Sequence, residues 1–262
     1  MTGPGPFGFR PRFFVPEVEA EDLPPGTALS LTAEDSHHAL HVLRLVAGDA
    51  CEVVAGAAVY AASVSAVGEV LTVRLQALLE GAEAGASYRG RGGLVQSLAR
   101  PAALDTALEK GTEVGCSFFL LVRSAGSPKW AESWREDRLV RWKRVVREAA
   151  KQSKQVVVPS VVPLASIDDA LSHLRDTGTR SLILEPGAPI TLYDSLAELG
   201  AADASPRPVA LWVGPEGGWT ESEFQAFKRA GIVAARLGRS VLRTETAGPV
   251  AIAVARLALG DW

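Results

Sequence analysis

Cysteine is scarce. Cys51 and Cys116 are the only two in 262 residues, and they stand far apart, so neither a disulfide framework nor a cysteine-based zinc site is indicated. No apolar run approaches membrane-spanning length. Met1 to Arg12 is rich in Gly and Pro and lacks the apolar core of a secretory signal, which makes a cytoplasmic location the expectation. No G-x-G-x-x-G turn follows a strand-like run, and that argues against a dinucleotide-dependent dehydrogenase. Internal repeats and long low-complexity tracts are missing as well. His37 and His41 have a metal-compatible spacing, but no Glu adjoins them and no third ligand is in view, so no metal is expected. What remains is a chain with 47% hydrophobic and 22% charged residues, enough for the core of two modest domains or one large one.

The net charge of −3 argues weakly against a nucleic-acid partner, but its distribution does not. Residues 1–82 hold four basic and ten acidic side chains, whereas residues 123–155 hold ten basic and four acidic ones. A strongly positive face on an acidic protein is what contact with a phosphate backbone requires. A solvated amphipathic helix accounts for the same run equally well.

Short strand-like runs recur at Arg12–Val15, Ala28–Leu31, Ala50–Val54, Ala57–Val64 and Val70–Leu78, the pattern of a small barrel or sandwich. One helix interrupts them, capped by Asp35-Ser36, running from His37 to Val46 and ended by Gly48-Asp49. Arg44 at its end is placed either to clamp a phosphate or to complement the helix dipole. Residues 83–92 read as a linker between a domain at 1–82 and a second at 93–262. From Gly93 the pattern turns to βα units, so the overall class is α/β. Leu94–Leu98 is a strand, Pro101 opens a helix that ends at Gly115, and Ser117–Val122 is a strand. Trp130 to Gln155 is the longest helical stretch, its core stripe formed by Leu139, Trp142, Val146 and Ala149-Ala150, with Trp142 read as a packing residue. Val156–Pro159 reads as a strand, Ile167–Leu174 as a helix and Ser181–Leu184 as a strand closed by Glu185-Pro186-Gly187.

The most informative stretch runs from Leu211 to Ala247. A buried strand, Leu211-Trp212-Val213, ends in the tight turn Gly214-Pro215-Glu216-Gly217-Gly218. Thr220 and Glu223 form a capping box for a helix stopped by Gly231. Ile232–Leu237 reads as a second buried strand, closed by Gly238, and Arg239–Arg243 leads into Thr244-Glu245-Thr246 and an apolar helix from about Ala247 to Leu259. Pro249 is tolerable only in a first turn, which sets that start. Both turns leave the carboxyl ends of strands, the place where open α/β sheets bind ligands.

Val213-Gly214-Pro215-Glu216-Gly217-Gly218 and Leu237-Gly238-x-x-Val241-Leu242-Arg243-Thr244-Glu245-Thr246-Ala247 resemble the two signature blocks of the RsmE family, SPOUT-class enzymes that methylate N3 of a uridine in the decoding region of 16S ribosomal RNA. Residues 1–82, with Arg12-Phe13-Phe14 and His41-Val42-Leu43-Arg44, look like that family's PUA-like β-barrel, taken to grip RNA. The resemblance implies a trefoil knot within roughly 182–262, S-adenosyl-L-methionine as cofactor, the small ribosomal subunit as partner and a homodimer through the knot-domain helices. It implies cofactor contact at Leu184, Glu185, Val213, Gly214, Pro215, Glu216, Gly217, Gly218, Leu237, Gly238, Val241, Leu242, Arg243 and Thr246. It places RNA contact at Arg10, Arg12, Arg44, Arg100 and Arg123. Ala103, Lys151, Ser240 and Gly248-Pro249 depart from the family pattern, and Ser124-Ala125-Gly126-Ser127 stands where a basic cluster is usual.

The uracil N3 carries a proton and is a poor nucleophile until it leaves, so a methyl transfer needs a proton acceptor and stabilisation of the base oxygens. Arg243 is the candidate for the second task, and Glu245 and Glu216 are candidates for the first. The same residues also fit plainer roles, Glu245 as a helix N-terminal carboxylate and Arg243 as an internal ion-pair partner. Two alternatives stand beside this reading: methylation at another RNA position, and a non-catalytic RNA-binding assembly factor.

Overall fold

The computed structural model describes residues 10–15, 18, 23–56, 58–81, 91–133, 136–202 and 207–261. Positions 83–90 of the expected linker, and the start of the chain before Arg10, lie outside the described residues. By its contacts the chain divides into two compact units, Met1–Tyr88 with Lys154–Val157, and Arg89–Ser153 with Val158–Trp262.

The first unit is built on a five-stranded sheet in the order β1-β3-β4-β5-β2, formed by β1 Arg12–Val15, β2 Ala28–Ser30, β3 Ala50–Ala55, β4 Ala58–Ala66 and β5 Thr72–Glu80. β1 runs parallel to β3 and the other pairs are antiparallel. Phe13, Val53, Tyr60, Leu71, Val73 and Leu75 fill its core. The expected helix over His37–Val46 is corrected in both bounds. α1 spans Ala33–His37, capped by Thr32 Oγ1, which accepts from the Asp35 amide at 3.2 Å, and a π-helical turn follows over His38–Val42. Asp35 and Ser36 are buried inside the helix instead of capping it. Ser36 Oγ accepts from the Leu71 amide at 2.9 Å, a packing role invisible in the local pattern.

The second unit holds a six-stranded, wholly parallel sheet in the order β11-β9-β10-β6-β7-β8. Its strands are β6 Gly92–Ser97, β7 Phe118–Val122, β8 Ser160–Leu164, β9 Arg180–Leu184, β10 Val209–Val213 and β11 Val233–Ala235. The helices are α2 Pro101–Glu113, α3 Glu136–Gln152, α4 Ile167–Asp176, α5 Leu192–Ala202, α6 Glu221–Arg229 and α7 Thr244–Leu259. Alternate side chains of each strand serve opposite faces. Leu211 and Val213 pack with Leu104, Leu108, Trp142, Val146, Leu196 and Ile252 of α2, α3, α5 and α7. Ala210 and Trp212 pack with Ala170, Leu174, Trp219 and Phe227 on the other face. Trp142 is a core residue, as read.

Several boundaries differ from the sequence reading. Val156–Pro159 forms no strand; β8 starts at Ser160 and contains Pro163, which the sheet accepts because β8 is an edge strand. α5 is unanticipated, although Thr191 Oγ1 accepts from the Asp194 amide at 3.2 Å in an N-cap arrangement. α7 starts at Thr244, and Pro249 therefore lies inside the helix, where the Glu245 carbonyl receives no bond from it. The strand expected over Ile232–Leu237 shrinks to β11 and one bridge between Arg236 and Thr191.

Among the described residues no helix is long and apolar enough to cross a membrane. β10 and β6 lie side by side at the middle of the sheet, with β7 and β8 to one side and β9 and β11 to the other. Chain order reverses direction there, and ligands of open parallel sheets bind beyond the carboxyl ends of the strands at such a point.

Candidate active site

A cavity of about 490 Å³ opens at that end of the sheet, within the ordinary range for a small-molecule site. Three turns wall it. Leu184 ends β9 and Glu185 and Pro186 follow it, Val213 ends β10 and Gly214 to Glu216 with Gly218 and Trp219 follow it, and Leu237, Gly238 and Ser240 to Glu245 lead from β11 into α7. Ala247 and Arg100 complete the lining.

The first of these turns is weakly capped by its own Glu185, whose Oε1 accepts from the Gly187 amide at 3.4 Å while the residue also lines the cavity. After β10, the Gly218 amide donates to the Pro215 carbonyl at 2.9 Å, and Gly218 sits at φ +73°, where a side chain is strained. Gly214 has a different reason to be glycine. A Cβ there would lie 3.2 Å from the Trp219 indole, which folds back against it. That indole is buried and edge-on to Trp212 and Phe227, with ring centroids 6.4 and 5.1 Å away. Its Nε1 is buried without a hydrogen-bond partner among the described residues.

The turn is held from beneath. Gly126 sits where a Cβ would be 2.7 Å from Pro215 Cγ. The Ala125 amide donates to Glu223 Oε1 at 2.8 Å, and the other oxygen of that carboxylate accepts from the Thr220 amide at 2.7 Å. Ser97, Ser124 and Ser127 join their hydroxyls at 2.5 to 3.3 Å behind this contact. The Ser-Ala-Gly-Ser segment is thus a support for the glycine turn. The predicted capping box of Thr220 and Glu223 is present in full.

Charged groups gather at the rim. Arg100 Nε donates to Glu216 Oε1 at 3.1 Å, closing a distance of 116 residues in the chain. Burial pushes the Glu216 carboxyl up, but its own backbone amide and the Arg100 guanidinium outweigh that and hold it below the usual carboxylate range. Glu216 is therefore a weak base and a firm anion. Arg243 is exposed, and its Nη1 stands 4.0 Å from Glu245 Oε1, a loose pair that leaves the guanidinium available to a ligand. Glu245 is the more enclosed of the two, its side chain about one-fifth exposed.

Of the cofactor-contact candidates, Leu184, Glu185, Val213, Gly214, Pro215, Glu216, Gly218, Leu237, Gly238, Val241, Leu242 and Arg243 all line the cavity. Gly217 and Thr246 do not. Gly217 is the outward tip of its turn, and Thr246 is carried to the outside because the helix begins two residues ahead of it. Pro186, Trp219, Ser240, Thr244 and Ala247 line the cavity without having been singled out as contacts. For Thr244 the available signal was its place between Arg243 and Glu245.

The five arginines assigned to RNA fall into three kinds. Arg10, Arg44 and Arg123 are exposed, and Arg44 stands at φ +56° just beyond the π-helical turn. Arg100 lies at the cavity rim in its pair with Glu216. Arg12 is a correction: it is 8% exposed, bonded to Glu52 at 3.0 Å and to the carbonyls of Lys154 and Gln155. Its donors are used inside the unit because β1 lies in register with β3, setting Arg12 opposite Glu52. His37 and His41 lie with ring centroids 4.5 Å apart and planes tilted by 46°, and among the described residues no group of three or more His, Cys, Asp or Glu is arranged to hold a metal.

Comparison with known proteins bears on this cavity. Residues 91–256 match the model of the RNA methyltransferase domain family. A ribosomal RNA small subunit methyltransferase E from Mycobacterium bovis is 34% identical over 173 residues, covering 64% of this chain and 64% of that protein. The chain thus spans about 64% of the length of the first curated relatives it matches. The Bacillus subtilis protein of the same name is 25% identical over 242 residues, covering 90% of this chain and 92% of its own. A crystal structure of the Neisseria gonorrhoeae methyltransferase E bound to S-adenosyl methionine superposes with a TM-score of 0.76 at 27% identity, over 95% of this chain and 98% of that one. The parallel sheet, the cavity at its carboxyl edge and these matches agree: the chain belongs to the RNA methyltransferase domain family, among relatives of ribosomal RNA small subunit methyltransferase E.

Proposed function

We propose that the chain is an S-adenosyl-L-methionine-dependent methyltransferase of small-subunit ribosomal RNA, transferring methyl to N3 of a uridine in the decoding region of 16S RNA. The observation that carries this reading is the cavity itself, walled by the three turns at the carboxyl ends of β9, β10 and β11. Its residues suit the cofactor. Glycine turns bring backbone donors and acceptors close to an adenosyl group, and the Trp219 indole lines the cavity beside them. When bound, S-adenosylmethionine supplies an electrophilic methyl group on a sulfonium. The chain's contribution is to hold base and donor close and in line.

Arg243, exposed at the mouth, stabilises charge developing on the base oxygens. Glu245 takes the N3 proton, since Glu216 is held below the usual carboxylate range and tied to Arg100. The first unit acts as a PUA-like barrel that grips RNA through exposed arginines, Arg10 and Arg44, while Arg12 serves packing. Arg100 and Arg123 are the RNA contacts on the catalytic unit. We extend the proposal to a trefoil knot in the segment around the cavity, to the domain limits 1–82 and 93–262, to action in the cytoplasm and to a homodimer. Val250 and Leu257, exposed and two helical turns apart on α7, support the dimer as an apolar stripe.

Mapping modified uridines in 16S RNA from cells with and without the gene tests this directly. The expected result is loss of one N3-methyluridine and its return on complementation. An unchanged pattern refutes the assignment, and loss of a ribose methylation instead redirects it to another position on the same RNA.

A further inference from the structure

Gln96, the penultimate residue of β6, is 1% exposed. Its amide has two protons and the structure uses both: Nε2 donates to Thr244 Oγ1 at 2.9 Å and to the Ser97 carbonyl at 3.2 Å. The Thr244 oxygen therefore accepts from Gln96, and its own proton goes to the Gly214 carbonyl at 2.8 Å. The direction of the relay is fixed, from the central strand through the first residue of α7 to the glycine turn after β10. Thr244 is 6% exposed, so water competes little for these bonds. The Gly214 carbonyl belongs to the peptide that leads into Pro215, which has no amide proton to anchor it. Thr244 also directly follows Arg243.

We propose that Thr244 is a positioning residue: its hydroxyl clamps the glycine turn after β10 to the start of α7 and so sets the width of the cavity between two of its three walls. Gln96 orients that hydroxyl. The proposal rests on the cofactor reading above. It says that loss of the hydroxyl lets the two walls drift, which weakens binding of S-adenosylmethionine and shifts Arg243 relative to the base, while the sheet and its helices stay packed.

Calorimetric titration of the full chain with S-adenosylmethionine tests it, with steady-state kinetics on 16S RNA alongside. Thr244→Val keeps the branched shape and removes the hydroxyl. The dissociation constant is expected to rise about tenfold, the scale of one net hydrogen bond, with KM for the cofactor rising in step. Thr244→Ser restores the hydroxyl and is expected to bind within about twofold of the unaltered protein. A residue that serves packing alone gives the reverse order, Val tolerated and Ser not, and that order overturns the clamp. Equal affinity of all three overturns it as well. Should Thr244→Val fail to fold, Thr244→Ser against Thr244→Ala carries the same comparison, and equal affinities there refute it. If the unaltered protein binds no S-adenosylmethionine, the cofactor reading itself fails.

Discussion

Gly126 belongs to no signature, yet the structure makes it less replaceable than Gly217 in the middle of one. A Cβ on Gly126 would sit 2.7 Å from Pro215 Cγ and 3.3 Å from Pro215 Cβ. Carbon atoms settle at about 3.5–4.0 Å, so Gly126→Ala demands that the two segments part by about 1 Å. Neither can yield cheaply. The proline ring is fused to the backbone of the glycine turn, and the Ser124–Ser127 segment is pinned by its hydroxyl cluster and by the bond from Ala125 to Glu223. Overpacking of this kind costs about 1–3 kcal/mol. Gly217, by contrast, has open space where a Cβ would stand, with nothing within 4 Å and no positive φ, so Gly217→Ala strains nothing.

The assay is thermal unfolding with and without S-adenosylmethionine, with calorimetry for affinity. Gly126→Ala is expected to lower the midpoint by several degrees, at about 2–4 °C per kcal/mol for a chain of this size. Because the displaced atoms belong to the cavity wall, affinity should fall by about tenfold, one step of 1.4 kcal/mol. Gly217→Ala should unfold within about a degree of the unaltered protein, as unstrained surface changes do. If Gly126→Ala unfolds and binds as the unaltered protein does, the segment after β7 is no support for the turn, and the reasoning fails.

Arg243→Ala should abolish methyl transfer while cofactor affinity stays within about tenfold, and Glu245→Gln should depress turnover far more than Glu216→Gln; single-turnover kinetics on 16S RNA decide both. Arg44→Ala should weaken RNA binding with the unfolding midpoint unchanged, whereas Arg12→Ala should destabilise the first unit, because it empties a buried site and removes one of the two cations bonded to the half-buried Glu52 carboxylate; filter binding beside a melting curve separates them. The Glu52 carboxyl is pushed up by burial, but hydrogen bonds from Lys154 and Arg12 outweigh this and hold it below the usual range. Its contribution is present above the unfolded pKa and lost as pH falls through the lower folded value. Glu52→Gln should therefore narrow the stability gap to the unaltered protein on acidification, as read from unfolding midpoints at a series of pH values. Cys51 and Cys116, whose thiols burial pushes up to about 12, should stay unmodified by iodoacetamide in the native protein at neutral pH, as checked by mass spectrometry.

What the sequence displayed plainly was local. Thr220 and Glu223 carried a capping box, and the structure has it. The short apolar run Leu211-Trp212-Val213 marked a strand buried on both faces, as β10 is. The turns were legible because Gly and Pro act within a few residues. Where the reading missed, a distant contact decided. Pro163 disguised β8, since only the place of a strand at the sheet edge makes a proline harmless. The pairs Arg100 with Glu216 and Gln96 with Thr244 join residues 116 and 148 positions apart, beyond the reach of any periodicity. Arg12 looked like a free cation because its strand register opposite Glu52 is a tertiary fact.

The departures from the family pattern show how far packing absorbs change around the cavity. Ala103 is 9% exposed on α2, a place from which any long charged side chain would have to reach out past the core to water. Lys151 bonds Glu148 at 2.6 Å one turn back along α3, an internal use of its charge. Gly248 lets α7 approach β6: a Cβ there would be 3.0 Å from Leu94 Cδ1 and 3.4 Å from Gln96 Oε1, so the glycine keeps the helix close enough for Thr244 to meet Gln96. Pro249, one residue on, is buried inside the helix and withholds a bond from the Glu245 carbonyl, in the turn that lines the cavity. Ser240 is the one departure that lies in the cavity wall. Ala103, Lys151, Gly248 and Pro249 lie behind it, where volume and helix packing set what fits.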